Sequence, residues 1–560
     1  MSGERKTGAR LLVDTLEANG VERVFIVPGE SYLAVIDALG DSPIDTVLAR
    51  QESGAAYMAD AAAKLTGKPG VCMVTRAPGA MNAAGGIHVA EHDSTPMIVF
   101  VGQIERSFRE RGAFQEMDFR KVFGSVAKWV AEIDTPDRVV EMVSRAFAVA
   151  TSGRPGPVVL VLPEDMLVEE AEAPAIRPAT AVETHPGLNQ MWDLQKRLWA
   201  AERPIAILGG SRWSEKAVRQ FARFAEKFDL PVACSFRRQM LFDHMDEHYV
   251  GDVGIGINPA LQKRIQDADL ILLVGGRMAE MPSQSYTLLD IPFPSQSLVH
   301  VHADAEELGR VYRPDLAIHA SGTAFAAAAE SLEPPPGAIR WKDWTAAARA
   351  DYRAWTDVLP TTVGAVQMGG VMAALRERLP DDAIFVNGAG NYATWIHRFW
   401  RFRRFATQAA PVSGTMGYGL PAAIAASLQF PDRRVICFSG DGCFQMNSQE
   451  MATAVQSGAR FVSFVVDNGI WGTIRMHQER EFPGRVHATT LVNPDFAALA
   501  RAHGALGLTV ERDEDIVPAI DAALAHDGVA LVHLKTSPEA ITPTTTLTRL
   551  RETALAKQKG

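Results

Sequence analysis

The chain has 560 residues, 47% hydrophobic and 22% charged, and its 56 Lys and Arg against 66 Asp and Glu give a formal net charge of −10. That length is more than one hydrophobic core supports and predicts about three domains of roughly 150–200 residues. The mild acidity argues against nucleic acid or an anionic membrane surface as a partner, and no run of about 18 apolar residues offers a membrane span. Four scattered cysteines without a CxxC pair fit a reduced, cytoplasmic setting. The N-terminal MSGERKTGARLLVDTLEANG lacks the apolar centre of a signal peptide and reads as an amphipathic helix.

From residue 24 onward, strands and helices alternate. Strands are expected over 24–27, closed by Pro28 and Gly29, and over 44–48, 71–75, 97–101 and 157–162. Helices are expected over 31–39, 52–65 and 80–91. This block spans 1–167. A Glu-, Ala- and Pro-rich stretch over 168–186 reads as a linker. A second α/β block, 187–332, carries strands over 205–208, 232–235, 270–274 and 298–302, and ends at Glu333-Pro334-Pro335-Pro336-Gly337. The third, 365–537, carries strands over 384–386, 435–438, 461–466 and 529–534. A polar, threonine-rich tail, 538–560, follows. The fold class is α/β, with three doubly wound parallel-sheet domains.

The most informative stretch is 434–472. The strand over 435–438 ends in Ser439-Gly440-Asp441-Gly442, a glycine turn that exposes backbone N–H groups, and Cys443 follows. Asn447 with Glu450 reads as a helix cap and Gly458 as that helix's end. The strand over 461–466 ends at Asp467-Asn468-Gly469, which places Asp441 and Asn468, 27 residues apart, just past two strand ends, where open α/β sheets bind ligands. A carboxylate, an amide oxygen and a nearby carbonyl, here Ile470, suit Mg²⁺ bridging a phosphate. Without a ligand the same residues form an ordinary strand–turn–helix–strand unit.

This stretch resembles the diphosphate-binding signature of thiamine diphosphate (ThDP) enzymes, and GDGCFQMNSQEMATAV is most similar to the acetolactate synthase branch. The resemblance implies pyrimidine-binding, central and diphosphate-binding domains in that order. It also implies a homodimer or homotetramer with active sites at the subunit interface. In Arg50-Gln51-Glu52-Ser53-Gly54-Ala55 it puts the catalytic carboxylate on Glu52; otherwise Glu52 is a first-turn residue favoured by the helix dipole. Ser413-Gly414-Thr415-Met416-Gly417 resembles the family's GTMG run, with Met416 the wedge beneath the cofactor and Gly414 beside it. Gly388-Ala389-Gly390-Asn391-Tyr392 takes the place of a Gly-Gln-His turn at the diphosphate, with Asn391 and Tyr392 as departures. Gly29 and Pro78-Gly79 match turns near the cofactor's reactive end; Gln103, Phe114 and Gln115 match segments on the substrate side. His88 and His92 are further proton-transfer candidates, although helix histidines are more often structural, and Trp471 is a pocket candidate.

Two departures bear on the substrate. His477 stands where acetohydroxyacid synthases carry a specificity tryptophan, and Met281 where they carry an arginine facing the acceptor's carboxylate. Losing that cationic clamp favours a bulkier, less acidic or CoA-linked acceptor. In the central block, Gly209-Gly210, Gly275-Gly276 and Asp304 end strands where FAD sits in acetohydroxyacid synthases and ADP in oxalyl-CoA decarboxylases. The expected activity is decarboxylation of a small 2-oxo acid such as pyruvate and ligation of the resulting carbanion to a carbonyl acceptor. The alternative is 2-oxo acid or acyl-CoA decarboxylation, or 2-hydroxy ketone lysis, without ligation. A catalytically silent cofactor-binding protein is disfavoured because Glu52, Asp441, Asn468 and Met416 are all present. A nicotinamide dehydrogenase is disfavoured because Val27-Pro28-Gly29-Glu30, not GxGxxG, follows the first strand.

Overall fold

The computed structural model describes residues 4–559. Two compact units form. One comprises the chain up to Val182 with Ile424–Gln429 and Gln449–Gly458; the other comprises Glu183–Ala423, Phe430–Ser448 and the chain from Ala459.

The first unit is built on a six-stranded sheet in the spatial order Asp45–Leu48, Arg23–Ile26, Gly70–Val74, Met97–Gln103, Pro157–Pro163, Trp129–Glu132, all parallel. Its central strands are buried on both faces, so GVCMV and MIVFVGQ read as continuous apolar runs. The expected N-terminal helix is Gly8–Ala18, with Leu11, Leu12, Val13 and Leu16 buried.

The second unit contains two more six-stranded parallel sheets. One runs Tyr249–Val253, Val232–Ser235, Pro204–Leu208, Leu270–Val274, Ser297–His302, Leu316–His319. The other runs Gln408–Ala409, Ile384–Asn387, Val435–Gly440, Phe461–Asp467, Val529–Lys535, Leu506–Val510. The expected α/β class with three doubly wound sheets is what forms.

Numbered by position along the chain, the first and third sheets share one strand order, 2-1-3-4-6-5 in space, although no sequence repeat links them. The middle sheet has the order 3-2-1-4-5-6. Each order reverses between two central strands, which opens a crevice beyond their C-terminal ends. In the third sheet those strands are Ile384–Asn387 and Val435–Gly440, so Gly388 and Asp441 lie at the crevice. In the middle sheet they are Pro204–Leu208 and Leu270–Val274, followed by Gly209-Gly210 and Gly275-Gly276.

Three expectations need correction. The 168–186 linker is partly ordered, because Glu170–Glu172 pairs antiparallel with Arg5–Thr7. Asn447 caps no helix: its amide donates to Gly417 O (3.1 Å), and helix Glu450–Gln456 starts at Gln449 without a side-chain cap. A first helix, Asp441–Gln445, begins directly at the glycine turn instead. The 538–560 tail ends in helix Leu547–Lys559, whose Leu547 packs with Met476 and Ile541, while Arg551 forks onto the buried Glu479 at 2.8 and 2.6 Å. Two apolar positions and one arginine pairing hold down a segment that composition marks as polar.

Candidate active site

In the second unit the residues beyond the strand ends form a tightly determined cradle. Asp441 is 4% exposed. Its Oδ1 accepts from Gly442 N (2.9 Å), and its Oδ2 accepts from Gly469 N (2.9 Å) and Asn493 Nδ2 (2.8 Å). Burial raises the Asp441 carboxyl; at Asp467 burial acts the same way, but hydrogen bonds from His533 and Asn493 outweigh it and hold that group low. A cation beside this buried carboxylate would offset the burial and favour its ionised form. Asn468 Oδ1 accepts from Ile470 N (3.2 Å) across Gly469, whose φ of +68° a side chain rarely adopts. Among the described residues no group of three or more His, Cys, Asp or Glu could hold a metal. The donor set here is instead one carboxylate, one amide oxygen and a backbone carbonyl, hard ligands that fit Mg²⁺ sharing a phosphate.

The walls are close. Trp471 lies over Gly442, where a Cβ would collide with its ring. A Cβ at Gly388 would stand 2.5 Å from Cys443 Sγ, and Tyr392 OH donates to that sulfur at 3.4 Å. Gly440 faces the Tyr392 ring. Asn391 Oδ1 accepts from Thr473 Oγ1 at 3.0 Å. The exposed Gly414 has φ +70°, and the half-buried Met416 packs on the third sheet's core. His477 is exposed on helix Gly472–Glu481. Met281 is half-buried in the turn after the middle sheet's second Gly-Gly pair.

In the first unit Glu52 opens helix Glu52–Thr66, with Gln51 Oε1 accepting from Ser53 N (2.6 Å) and Gly54 N (3.3 Å) as the N-cap. The half-buried Glu52 carboxylate accepts from Asn82 Nδ2 (2.9 Å), and Gly79 leaves it room: a Cβ there would stand 3.2 Å from Oε1. Gly29 is pressed against Thr75, next to the Ser31–Thr75 hydroxyl pair (2.9 Å). Pro78 lies in the first turn of helix Ala77–Asp93, whose Ala77 N donates to Gln115 O (3.4 Å). Gln103 is 4% exposed; its Nε2 donates to Met117 O (2.9 Å) and its Oε1 accepts from Ile104 N (3.1 Å). It therefore anchors the loop that carries Gln115, at φ +64°, and Phe114, 75% exposed. His88 and His92 are exposed one turn apart, with rings 4.6 Å from each other.

Sequence reasoning missed Asn82 and Asn493. Asn493 donates to Asp441 and, at 2.7 Å, to Asp467. Its segment lies along the loop after strand Phe461–Asp467 through Leu491 N to Gly469 O and Trp471 N to Thr489 O. Nothing local links position 493 to 441; only the Asn-Pro turn marks it.

In the middle sheet the two Gly-Gly turns press together. A Cβ at Gly209 would stand 3.0 Å from Gly276 Cα, and one at Gly210 would collide with Gly275 O. Trp213 Nε1 donates to Gly209 O (2.8 Å) and Arg238 Nε to Gly210 O (2.8 Å).

Comparison with known proteins gives a consistent likeness over the chain. Residues 6–122 match the model of the thiamine pyrophosphate enzyme N-terminal TPP binding domain, 193–328 that of the central domain, and 388–534 that of the C-terminal TPP binding domain. An acetolactate synthase of Mycobacterium bovis is 30% identical, covering 94% of this chain and 88% of its own. The Escherichia coli acetolactate synthase isozyme 2 large subunit is 31% identical, covering 94% and 95%. The Corynebacterium glutamicum acetolactate synthase large subunit is 30% identical, covering 93% and 85%.

Proposed function

The chain belongs to the thiamine pyrophosphate enzyme family, and on that premise we propose that it is a Mg²⁺-assisted carboligase of the acetolactate synthase type. It decarboxylates a pyruvate-like 2-oxo acid and joins the remaining unit to a carbonyl acceptor. The carrying observation is Asp441, a buried carboxylate at a sheet's switch point, hydrogen-bonded to the backbone of Gly442 and of the loop that carries Asn468. The domains on this reading are 1–167 (pyrimidine), 187–332 (central) and 365–537 (diphosphate), with 538–560 closing the third.

ThDP supplies a nucleophilic carbon that doubles as an electron sink. The chain's own residues do the rest. Asp441, Asn468 and the Ile470 carbonyl would hold Mg²⁺. The turn carrying Gly440, Gly442 and Cys443 would face the diphosphate, its Gly442 N–H being taken by Asp441, with Asn391, Tyr392 and Gly414 at its border and Met416 as the apolar wedge. Glu52 would hydrogen-bond the cofactor's pyrimidine nitrogen, with Gly29 and Pro78 nearby. Gln103, Phe114 and Gln115, with His88, Trp471, Met281 and His477, bound the substrate space. Glu52 and Asp441 of one chain serve different sites, each completed by a second copy, so the active form is at least a homodimer.

The facing Gly-Gly turns at the middle sheet's switch point suit a nucleotide, FAD or ADP, approached closely by backbone. Met281 and His477 favour an acceptor without a free carboxylate next to the reacting carbonyl, which keeps simple decarboxylation or lysis as a second reading. Incubation with pyruvate, ThDP and Mg²⁺ followed by product analysis tests the proposal. Acetolactate, or the matching 2-hydroxy ketone when an uncharged aldehyde is added as acceptor, is expected from the wild type and not from Glu52→Gln; acetaldehyde as the sole product with either acceptor overturns ligation.

A further inference from the structure

Glu450 is a carboxylate with no solvent exposure, and its partners lie in another part of the sequence. Its Oε1 accepts from Arg50 N (3.0 Å) and Gln51 N (2.9 Å), and its Oε2 from Arg50 N (3.2 Å) and Thr453 Oγ1 (2.6 Å). From the same helix, Gln456 Oε1 accepts from the Arg50 guanidinium. Gly54 completes the fit, because a Cβ there would stand 2.5 Å from Glu450 Oε1. A buried carboxylate is strongly disfavoured unless hydrogen-bonded, so leaving it in place while its donors move is costly. Two of its three donors are the backbone N–H groups of the two residues before Glu52.

Along the chain Glu450 stands nine residues after Asp441, at the start of the helix that follows the glycine turn and its short helix. We propose that Glu450 is a positioning residue that couples neighbouring active sites: it fixes the backbone presenting Glu52 to one site and is tethered by nine residues to the Asp441 turn of the other. This rests on the reading that Glu52 and Asp441 of one chain serve different sites. A change at one cofactor turn then reaches the carboxylate of the other site through a single hydrogen-bonded side chain.

Hybrid dimers isolated with two affinity tags test this. A Glu52→Gln chain paired with an Asp441→Ala chain concentrates both defects in one site and keeps about half of wild-type turnover, since the other site is intact. A Glu52→Gln chain paired with a Glu450→Ala chain spreads the defects over both sites. It is expected to fall below about a tenth, because misplacing a reacting group by about 1 Å costs up to about 100-fold. Half-activity in that second hybrid overturns the proposal, since Glu450 would then act on its own chain's Asp441.

If the first hybrid is inactive, the shared-site reading has failed, and Glu450 is judged on uniform dimers. There Glu450→Ala is expected to lower kcat at least about tenfold with ThDP affinity within about threefold, and Glu450→Gln, which keeps the Oε1 acceptor, to restore it. Unchanged kcat, or equal loss in Gln and Ala, overturns positioning. Should Glu450→Ala not assemble, Gly54→Ala displaces the same carboxylate and is expected to lower kcat with ThDP affinity preserved; unchanged kcat there also overturns it.

Discussion

The proposed diphosphate side and the proposed substrate side of the candidate site are built in opposite ways. Around Asp441 the carboxylate has three fixed donors and Asn493 bridges it to Asp467, and glycines stand where a Cβ would collide with Trp471, Cys443 or Tyr392. Around Phe114 the chain is an exposed loop held at a few points, by Gln103 at its base and by Glu116 accepting from Glu110 N (2.7 Å) and Ala113 N (3.0 Å). A cofactor that stays bound through many turnovers is served by a rigid cradle. A substrate that must enter and leave is served by a loop with little buried contact.

The contrast can be broken from the rigid side first. Asn493→Ala removes the amide that bridges Asp441 and Asp467, and is expected to weaken Mg²⁺ affinity by about 10–100-fold, the usual cost of losing a group that orients a ligand; a calorimetric Mg²⁺ titration in the presence of ThDP measures it. Gly442→Ala drives a methyl group into the Trp471 ring and is expected to cost about 1–3 kcal/mol, read from denaturant unfolding and from a shift in tryptophan fluorescence.

A smaller effect is expected where the C-terminal helix docks. Glu479 is 1% exposed on its side chain, accepts from Arg551, Arg475 and Gly484 N, and is lowered to about 2, chiefly by the Arg551 hydrogen bonds. Since the folded value lies below the unfolded one of about 4.3, its contribution is complete above that pH and is lost as pH falls from about 4.3 towards 2. Amide exchange in Leu547–Lys559 should quicken over that window, and Arg551→Ala should quicken it at neutral pH. The smallest change in stability belongs to the flexible side. Phe114→Ala is expected to move stability by less than about 0.5 kcal/mol while changing KM for the acceptor, whereas a large loss of stability would show that the loop is structural.

The limits of the sequence follow the same division between buried and exposed. The central strands are all legible, because burial on both faces makes runs such as LILLV and VVLVLP. Of the six edge strands only Asp45–Leu48 is anticipated. Trp129–Glu132, Tyr249–Val253, Leu316–His319, Gln408–Ala409 and Leu506–Val510 carry mixed, short or glycine-containing sequences, since one of their sides needs no apolar cover. In the candidate site, residues tied to a turn motif, Asp441 and Asn468, stand out, whereas Glu52 does so only through the family resemblance of its segment. Residues whose meaning lies in a distant partner do not. Glu450 reads locally as half of a helix cap, and only the fold reveals that its carboxylate holds the backbone of Arg50 and Gln51.

ThDP affinity at saturating Mg²⁺, measured in parallel for wild type, Asp441→Ala and Glu52→Gln, tests the division of labour most directly. Asp441→Ala should lose at least about 100-fold in affinity, exceeding the loss for an orienting group. Glu52→Gln should stay within about threefold while its turnover of pyruvate collapses. Equal affinity losses in the two variants, or wild-type turnover in Glu52→Gln, would contradict the account.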